Sequence, residues 1–256
     1  MSTQAAEIGQ VEAVASAPRW PAAGTGGRLR TWVASGVLAM VALGVAAEIT
    51  WIYAGTGRWE ALPEREGVKV YYLKIPGTTL MQYKAVGRFR AALRNIVSFM
   101  RDPTVCDDVG CVDSRVLEKI DSRHEYQTFT YRYPAPFKPR QFVVIEQVSQ
   151  DPVSRQVTVE YLGTPYKIPP DDCCVRVPRM NNKWKFAPRA DGSVDVEFLI
   201  DNYEGGFMPA FVSNYFSRES AYEAPAGLAM LLTQKKYIDK YSDVPIDYIN
   251  ESVSRR

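Results

Sequence analysis

The chain has 256 residues, of which 46% are apolar and 23% charged, enough for one substantial hydrophobic core with an apolar segment left to place elsewhere. Its 31 basic residues are interspersed among 29 acidic ones for a formal net charge of +2, so there is no basic block to draw phosphate groups, and nucleic acid is excluded as a partner. The one histidine, His124, lies in the polar run Asp121-Ser122-Arg123-His124-Glu125. It reads as an exposed surface imidazole, which removes the usual routes to general-base or metal chemistry.

Residues 1–30 are rich in Ala, Gly, Ser and Pro and end in Gly26-Gly27-Arg28-Leu29-Arg30, without helical or strand pattern, so a disordered segment with a basic end is expected. From Thr31 to Ala47 the chain carries no charge. At 1.5 Å per residue that run spans about 26 Å, slightly short of a hydrocarbon core of roughly 30 Å. Two readings stay open. In one, the run is the hydrophobic region of a signal peptide with Arg28 and Arg30 as its positive flank and Val45-Ala46-Ala47 as the cleavage site. In the other it is a retained anchor, with Trp51 at the membrane interface. Both keep the arginines cytoplasmic and put everything after Glu48 across the membrane, so residues 31–55 are the export or anchor segment of a periplasmic or otherwise extracytoplasmic domain. Four cysteines suit an oxidising compartment. The loop Cys106-Asp107-Asp108-Val109-Gly110-Cys111 can close a disulfide, whereas the adjacent Cys173 and Cys174 read as two small thiols, because a vicinal bridge is strained. CxxC pairs with nearby histidines are missing, so no zinc site is expected.

Strand patterns follow. Gly67 to Lys74 reads as a first strand, broken by Pro76-Gly77, and Tyr83 to Gly87 as a second. Arg88 to Arg101 changes period, with Phe89, Leu93, Ile96, Val97 and Met100 on one stripe of an amphipathic helix that Asp102-Pro103 ends. Strands are expected at 115–120, 125–133, 141–148, 156–162, 175–177, 183–186 and 194–201, joined by short turns that imply antiparallel hairpins. Val194, Val196, Phe198 and Ile200 share one face of the last of these, and Asp195, Glu197 and Asp201 the other. Phe207 to Lys240 predicts one long amphipathic helix bent near Pro225, followed by a frayed tail. The expected organisation is a disordered segment over 1–30, a hydrophobic helix over 31–55, one folded domain over 56–241 and a tail over 242–256. The fold class is α+β, a curved antiparallel sheet wrapped around a long C-terminal helix, with a hydrophobic tunnel wherever side chains do not fill the space between them.

Several ordered motifs carry a family resemblance. Trp59-Glu60 followed by Gly67-Val68-Lys69-Val70-Tyr71, the segment Asp113 to Ile120, the stretch Tyr133-Pro134-Ala135-Pro136-Phe137-Lys138-Pro139-Arg140-Gln141-Phe142-Val143, Val175-Arg176-Val177, Trp184 with Pro188, and Glu204-Gly205-Gly206-Phe207-Met208-Pro209 come in this order. Between Trp59 and Tyr237 the chain resembles the START (steroidogenic acute regulatory protein-related lipid transfer) family of the helix-grip superfamily. It departs from the family pattern at Gln141, where an Asp is usual, and at Asp107-Asp108-Val109-Gly110, where a Trp-Asp pair is usual. Where sterol-binding relatives carry a tunnel-facing arginine, six residues beyond Arg140, this chain has Glu146.

The resemblance implies a monomeric, non-catalytic module that needs no cofactor and no metal, binds a sterol-like or phospholipid ligand, and works at a membrane surface. The helix from Phe207 and the loop Asp151 to Arg155 would open for ligand entry. Strand parity puts Phe142, Val144 and Glu146 on one face; an inward carboxylate has to be paired, protonated or bound to a ligand polar group, and Arg176 or Arg132 is the expected partner. Phe129, Tyr131, Tyr161, Arg176, Trp184, Phe198, Phe207, Met208, Phe211 and Tyr215 complete the expected ligand lining, with plain helix core as the other reading of Phe207, Met208 and Phe211. The alternative function is a cyclase- or hydrolase-like enzyme of the same superfamily acting on a hydrophobic small molecule.

Overall fold

The computed structural model describes residues 26–242, 246 and 248–250. The expectations for residues 1–25 and for the rest of the tail lie outside the described residues. The chain divides between Ile49 and Thr50 into two units. The apolar run belongs to helix α1, Gly26–Tyr53, which starts ahead of the uncharged stretch and continues past Glu48. Its large side chains, Trp32, Val33, Leu38, Met40 and Leu43 among them, are exposed.

The second unit is an open antiparallel sheet with helices against one face. In chain order come β1 (Trp59–Ala61), β2 (Lys69–Leu73), β3 (Gln82–Arg90), α2 (Leu93–Met100), a 3₁₀ turn (Pro103–Val109), β4 (Cys111–Lys119), β5 (His124–Tyr131) and β6 (Arg140–Gln150). Then follow β7 (Val157–Gly163), β8 (Val175–Arg176), β9 (Arg179–Pro188), β10 (Ser193–Ile200), β11 (Asn202–Tyr203), α3 (Ala210–Leu232) and α4 (Lys235–Tyr241). The strands lie side by side as β1-β2-β3-β10-β9-β7-β6-β5-β4, with short β8 parallel to β6 and β11 beside β9.

Alternation decides which side chains enter the core. On β10, Val194, Val196, Phe198 and Ile200 are buried, and the register carries that parity across the sheet, since Phe198 faces Trp184 on β9 and Ala85 on β3. The rings of Trp184 and Phe198 stack with centroids 3.8 Å apart, and Val148, Val159 and Val70 extend the same apolar layer. Burying each such side chain contributes about 1.5–3 kcal/mol.

Three elements differ from expectation. The residues Arg88 to Arg90 continue β3, paired with Ser193 to Asp195, so the helix begins only at Leu93; Phe89 satisfies a period of two as well as one of 3.6. The expected single helix is two: α3, with Pro225 buried within it, gives way at Thr233, whose hydroxyl donates to Met230 O at 2.7 Å before α4 begins. α4 is held by Phe99 of α2, with its ring 5.0 Å from Tyr237 and 6.3 Å from Tyr241. Past α4, Ile246, Tyr248 and Ile249 pack against the core, and Gln150 exchanges two hydrogen bonds with the Asn250 backbone. Both cysteine pairs are joined, Cys106 to Cys111 and, against the two-thiol reading, Cys173 to Cys174.

The entry into the sheet is tied down by a buried ammonium. Lys74, 4% exposed, donates to the carbonyls of Ile52 (3.2 Å), Ala54 (3.3 Å), Ile75 and Thr78 and lies 5.1 Å from the centre of the Trp51 ring. Two of those carbonyls close the last turn of α1, where helix carbonyls lack intrahelical partners and a cation is favoured; burial lowers the lysine pKa. Gly55 makes this approach possible: its φ is +107°, and a Cβ there would lie 2.4 Å from Lys74 O. Gly55→Ala is therefore expected to cost at least about 2 kcal/mol, read as a lowered denaturation midpoint at unchanged slope; an unchanged midpoint would contradict this packing.

Candidate functional site

One row of polar side chains crosses the apolar interior. In register across four strands stand Glu125 on β5, Glu146 on β6, Tyr161 on β7 and Asn182 on β9, all buried and all on the face that carries Phe142, Val144, Val159 and Trp184. Strand parity delivers them there: Glu146, Tyr161 and Asn182 each lie two residues from a buried apolar neighbour, and Glu125 lies four residues from partly buried Phe129.

Two carboxylates directly opposite each other repel, and the structure answers with one guanidinium. Arg101, at the C-terminal end of α2, places Nη2 2.6 Å from Glu125 Oε2 and Nε 3.0 Å from Glu146 Oε1. The second contact is off the line of an N–H···O bond and leaves both atoms without a hydrogen-bond partner, so it acts as a charge contact. Gln127 Nε2 donates to Glu125 Oε1 (2.7 Å) and to Glu146 Oε2 (2.8 Å). Arg101 Nη1 donates to Ser122 O (2.6 Å) and to the Tyr248 hydroxyl (2.7 Å), so the described part of the tail reaches the same cluster.

Burial outweighs the attraction of Arg101 at the innermost carboxyl. Glu146 is 0% exposed and its pKa is pushed up to about 8 by desolvation, with Arg101 and Gln127 opposing the shift. At neutral pH it holds its proton for most of the time and is a hydrogen-bond donor as well as an acceptor, while Arg101 balances Glu125. Burial likewise raises the pKa of Tyr161, whose hydroxyl reaches Met100 O at 3.4 Å.

The expected lining residues separate into groups. Phe142, Val144, Glu146, Tyr161, Trp184 and Phe198 are buried in the interior. Phe129 and Tyr131 are partly buried against Phe142, with ring centroids 5.2 and 5.8 Å from it. Phe207, Phe211 and Tyr215 face outward, at 84%, 75% and 52% exposure, and Met208 is half-buried. Arg176 is not the partner of Glu146. Its guanidinium donates to Gln141 Oε1 at 3.1 and 2.9 Å and to the carbonyls of Pro165, Ile168 and Pro169, so the residue that stands in place of the usual Asp captures it. Arg132 is exposed. Sequence reasoning missed Glu125, Gln127 and Arg101, although the first two share the parity of Phe129 and Tyr131, and Arg101 follows Val97 by four residues on the apolar stripe of α2.

A separate groove of about 570 Å³ opens on the sheet face opposite the core, among Arg88, Gln156, Lys185, Asp195 and Glu197. Its charges are paired across the strands, Arg88 with Asp195 at 2.6 Å and Lys185 with Glu197 at 2.8 Å.

No family model matches the chain. An uncharacterised protein of Pseudomonas aeruginosa is 25% identical over 197 residues, covering 75% of this chain and 93% of that protein. The crystal structure of a STAR-related lipid transfer protein fragment from Xanthomonas axonopodis superposes with a TM-score of 0.64 at 25% identity, over 70% of this chain and all of that one. The chain has a START fold. Human STARD10 superposes as well, with a TM-score of 0.66 at 15% identity over 78% of this chain and 82% of that one. Within this START fold the row Glu125-Glu146-Tyr161-Asn182, with Gln127 beside it, is a polar strip among the apolar side chains of the strands.

Arg101→Met leaves the carboxyls of Glu125 and Glu146 without their cation and is expected to destabilise the fold by about 3–5 kcal/mol. The pH dependence has a definite sign. The folded state holds the Glu146 proton up to about pH 8 and the unfolded chain releases it near 4.5, so the folded state binds more protons between those values and stability falls as pH rises, by up to about 1.4 kcal/mol per unit. Denaturation midpoints of Glu146→Gln should lose that slope; a slope identical to that of the unmodified chain contradicts the assignment.

Proposed function

We propose that the chain is a non-catalytic lipid-binding module, held at a membrane by α1, that takes a weakly polar lipid against the concave face of its sheet. The observation that carries this reading is the polar row at Glu146 and Tyr161 set within apolar strands. Hydrocarbon buried there contributes about 25 cal/mol per Å², and one or two polar contacts set orientation. The likeness to the Xanthomonas protein, whose description is that of a lipid transfer protein, supports the same conclusion.

The chemistry of the row narrows the ligand. A largely protonated Glu146 donates to a hydroxyl or carbonyl oxygen and accepts through its other oxygen. A lipid phosphate would meet two carboxyl groups with one guanidinium already between them, which is unfavourable. The favoured ligand is therefore sterol-like or another lipid with a hydroxyl or carbonyl head. Catalysis is not part of the proposal: Arg101 is committed to the charge contacts with Glu125 and Glu146 and to Ser122 O and the Tyr248 hydroxyl, and Gln127 bridges the two carboxyl groups.

Retention of α1 as an anchor is supported by its length. Arg30–Tyr53 is an apolar span of 24 residues, about 36 Å at 1.5 Å per residue, which crosses a hydrocarbon core of roughly 30 Å. Arg28 and Arg30 would stay on the cytoplasmic side. The two disulfides suit an oxidising compartment for the folded domain.

Mass spectrometry of the full chain, purified in mild detergent and measured native and then after organic extraction, tests these points together. The expected result is a one-to-one adduct that releases a neutral hydroxyl- or carbonyl-bearing lipid, on a chain that retains residues 31–49. A ligand-free chain that takes up no sterol, diacylglycerol or phospholipid from mixed vesicles would overturn lipid binding, and a mass beginning after Ala47 would overturn the anchor.

A further inference from the structure

The described residues beyond α4 do not fray; they lie across the end of the interior that holds the polar row. Ile249 N donates to Ile246 O at 3.0 Å, closing a turn, and Ile246, Tyr248 and Ile249 pack against the core. Asn250 is held by Gln150, which donates to its carbonyl at 2.9 Å and accepts from its amide at 2.7 Å. Gln150 ends β6, four residues beyond Glu146, and the same side chain donates to Arg155 O in the β6–β7 loop at 2.9 Å.

Tyr248 joins this segment to the charges inside. Its hydroxyl accepts from Arg101 Nη1 at 2.7 Å, and the Arg123 guanidinium of the β4–β5 turn lies 5.4 Å from the centre of its ring. The charged and titratable side chains gathered at this end are thus Arg101 from α2, Arg123 from the turn, Glu125 from β5, Glu146 from β6, Tyr161 from β7 and Tyr248 from the tail. Arg101 Nε and Glu146 Oε1 are buried there without a hydrogen-bond partner, a capacity that water or a ligand head reaching this end would fill. Burial is also what raises the Glu146 pKa, so whatever covers this end keeps that carboxyl a donor.

We infer that Tyr248 is a specificity-determining residue of the interior site: with Ile246 and Ile249 it straps the polar end shut, so that a ligand head meets Glu125 and Glu146 without competing water, and an uncharged hydroxyl or carbonyl head is preferred over an anionic one. The inference rests on the reading of the interior as a lipid site. An anionic head set against two carboxyl groups is penalised most where water cannot screen the charges. With the strap open, water lowers that penalty and satisfies Arg101 and Glu146 itself, which removes the advantage of a hydroxyl head.

Two measurements on the full chain in mild detergent test this, with Tyr248→Ala, Tyr248→Phe and a chain ended at Ser242 as variants. In the first, carboxyl groups are modified with a water-soluble carbodiimide and an amine and located by peptide mass spectrometry. Glu204, buried at the β11–α3 connection, and exposed Glu64 serve as internal references. The expected result is severalfold faster modification of Glu125 and Glu146 in Tyr248→Ala and in the shortened chain, with Glu204 still protected, whereas Tyr248→Phe, which retains the ring, keeps most of the protection. Glu125 and Glu146 staying protected without the tail overturns the strap, and so does Glu204 becoming modified in step with them, which makes the tail a support of the whole fold. In the second, binding of a fluorescent hydroxyl-bearing sterol is compared with that of a fluorescent fatty acid. The preference for the sterol is expected to fall severalfold in Tyr248→Ala and to be retained in Tyr248→Phe. An unchanged preference in Tyr248→Ala, with both probes bound, overturns the specificity role alone; an unmodified chain that binds neither probe overturns it together with the lipid-binding reading.

Discussion

The contact between Arg101 and two carboxyl groups is the constraint on which the interior depends. Glu125 and Glu146 face each other on neighbouring strands, and burying two carboxyl groups side by side is costly unless each has a partner. The cation comes from another element, the C-terminal end of α2, and the same guanidinium reaches the β4–β5 turn at Ser122 O and the tail at Tyr248. A helix, a turn, two strands and the tail are therefore fastened at one point inside the sheet. An apolar replacement would fill this space at less desolvation cost; in the proposed reading the polar row is kept because it orients the polar end of a ligand.

The same logic separates the two halves of α3. From Ala221 onward the helix buries Ala, Leu and Tyr side chains in the ordinary way, and Tyr222 fixes it to the sheet entry by donating to Pro63 O at 2.6 Å. Before that point it is joined by polar contacts, Ser213 to Glu204 and Asn214 to the β2–β3 loop. Hydrogen bonds of this kind contribute only about 0.5–1.5 kcal/mol each, whereas each leucine buried in the C-terminal half contributes about 1.5–3 kcal/mol.

Much of the fold was legible because period-two alternation is strong in β10, β6 and β5, and because the START-like motifs occur in order. What was misread has specific causes. Phe89 fits both periods, which hid the end of β3. The expected single helix is broken at Thr233, a position that no proline or glycine marks, where the hydroxyl donates to Met230 O. The inward position of Glu146 follows from parity alone, but its partner does not: Arg101 is 45 residues away in sequence and meets it only through the packing of α2. The apolar stripe of α3 was read as inward because periodicity says which residues share a face and not which face is covered; Ser213, Asn214 and Ser217 occupy the covered side.

The most direct test of the central claim is a crystal structure of the full chain in detergent at a resolution that distinguishes acyl chains from side chains. The account predicts continuous elongated density along the concave face, with a polar end within hydrogen-bond reach of Glu146 or Tyr161. Side chains of α3 and the strands meeting without a gap from Phe142 to Trp184 would contradict it.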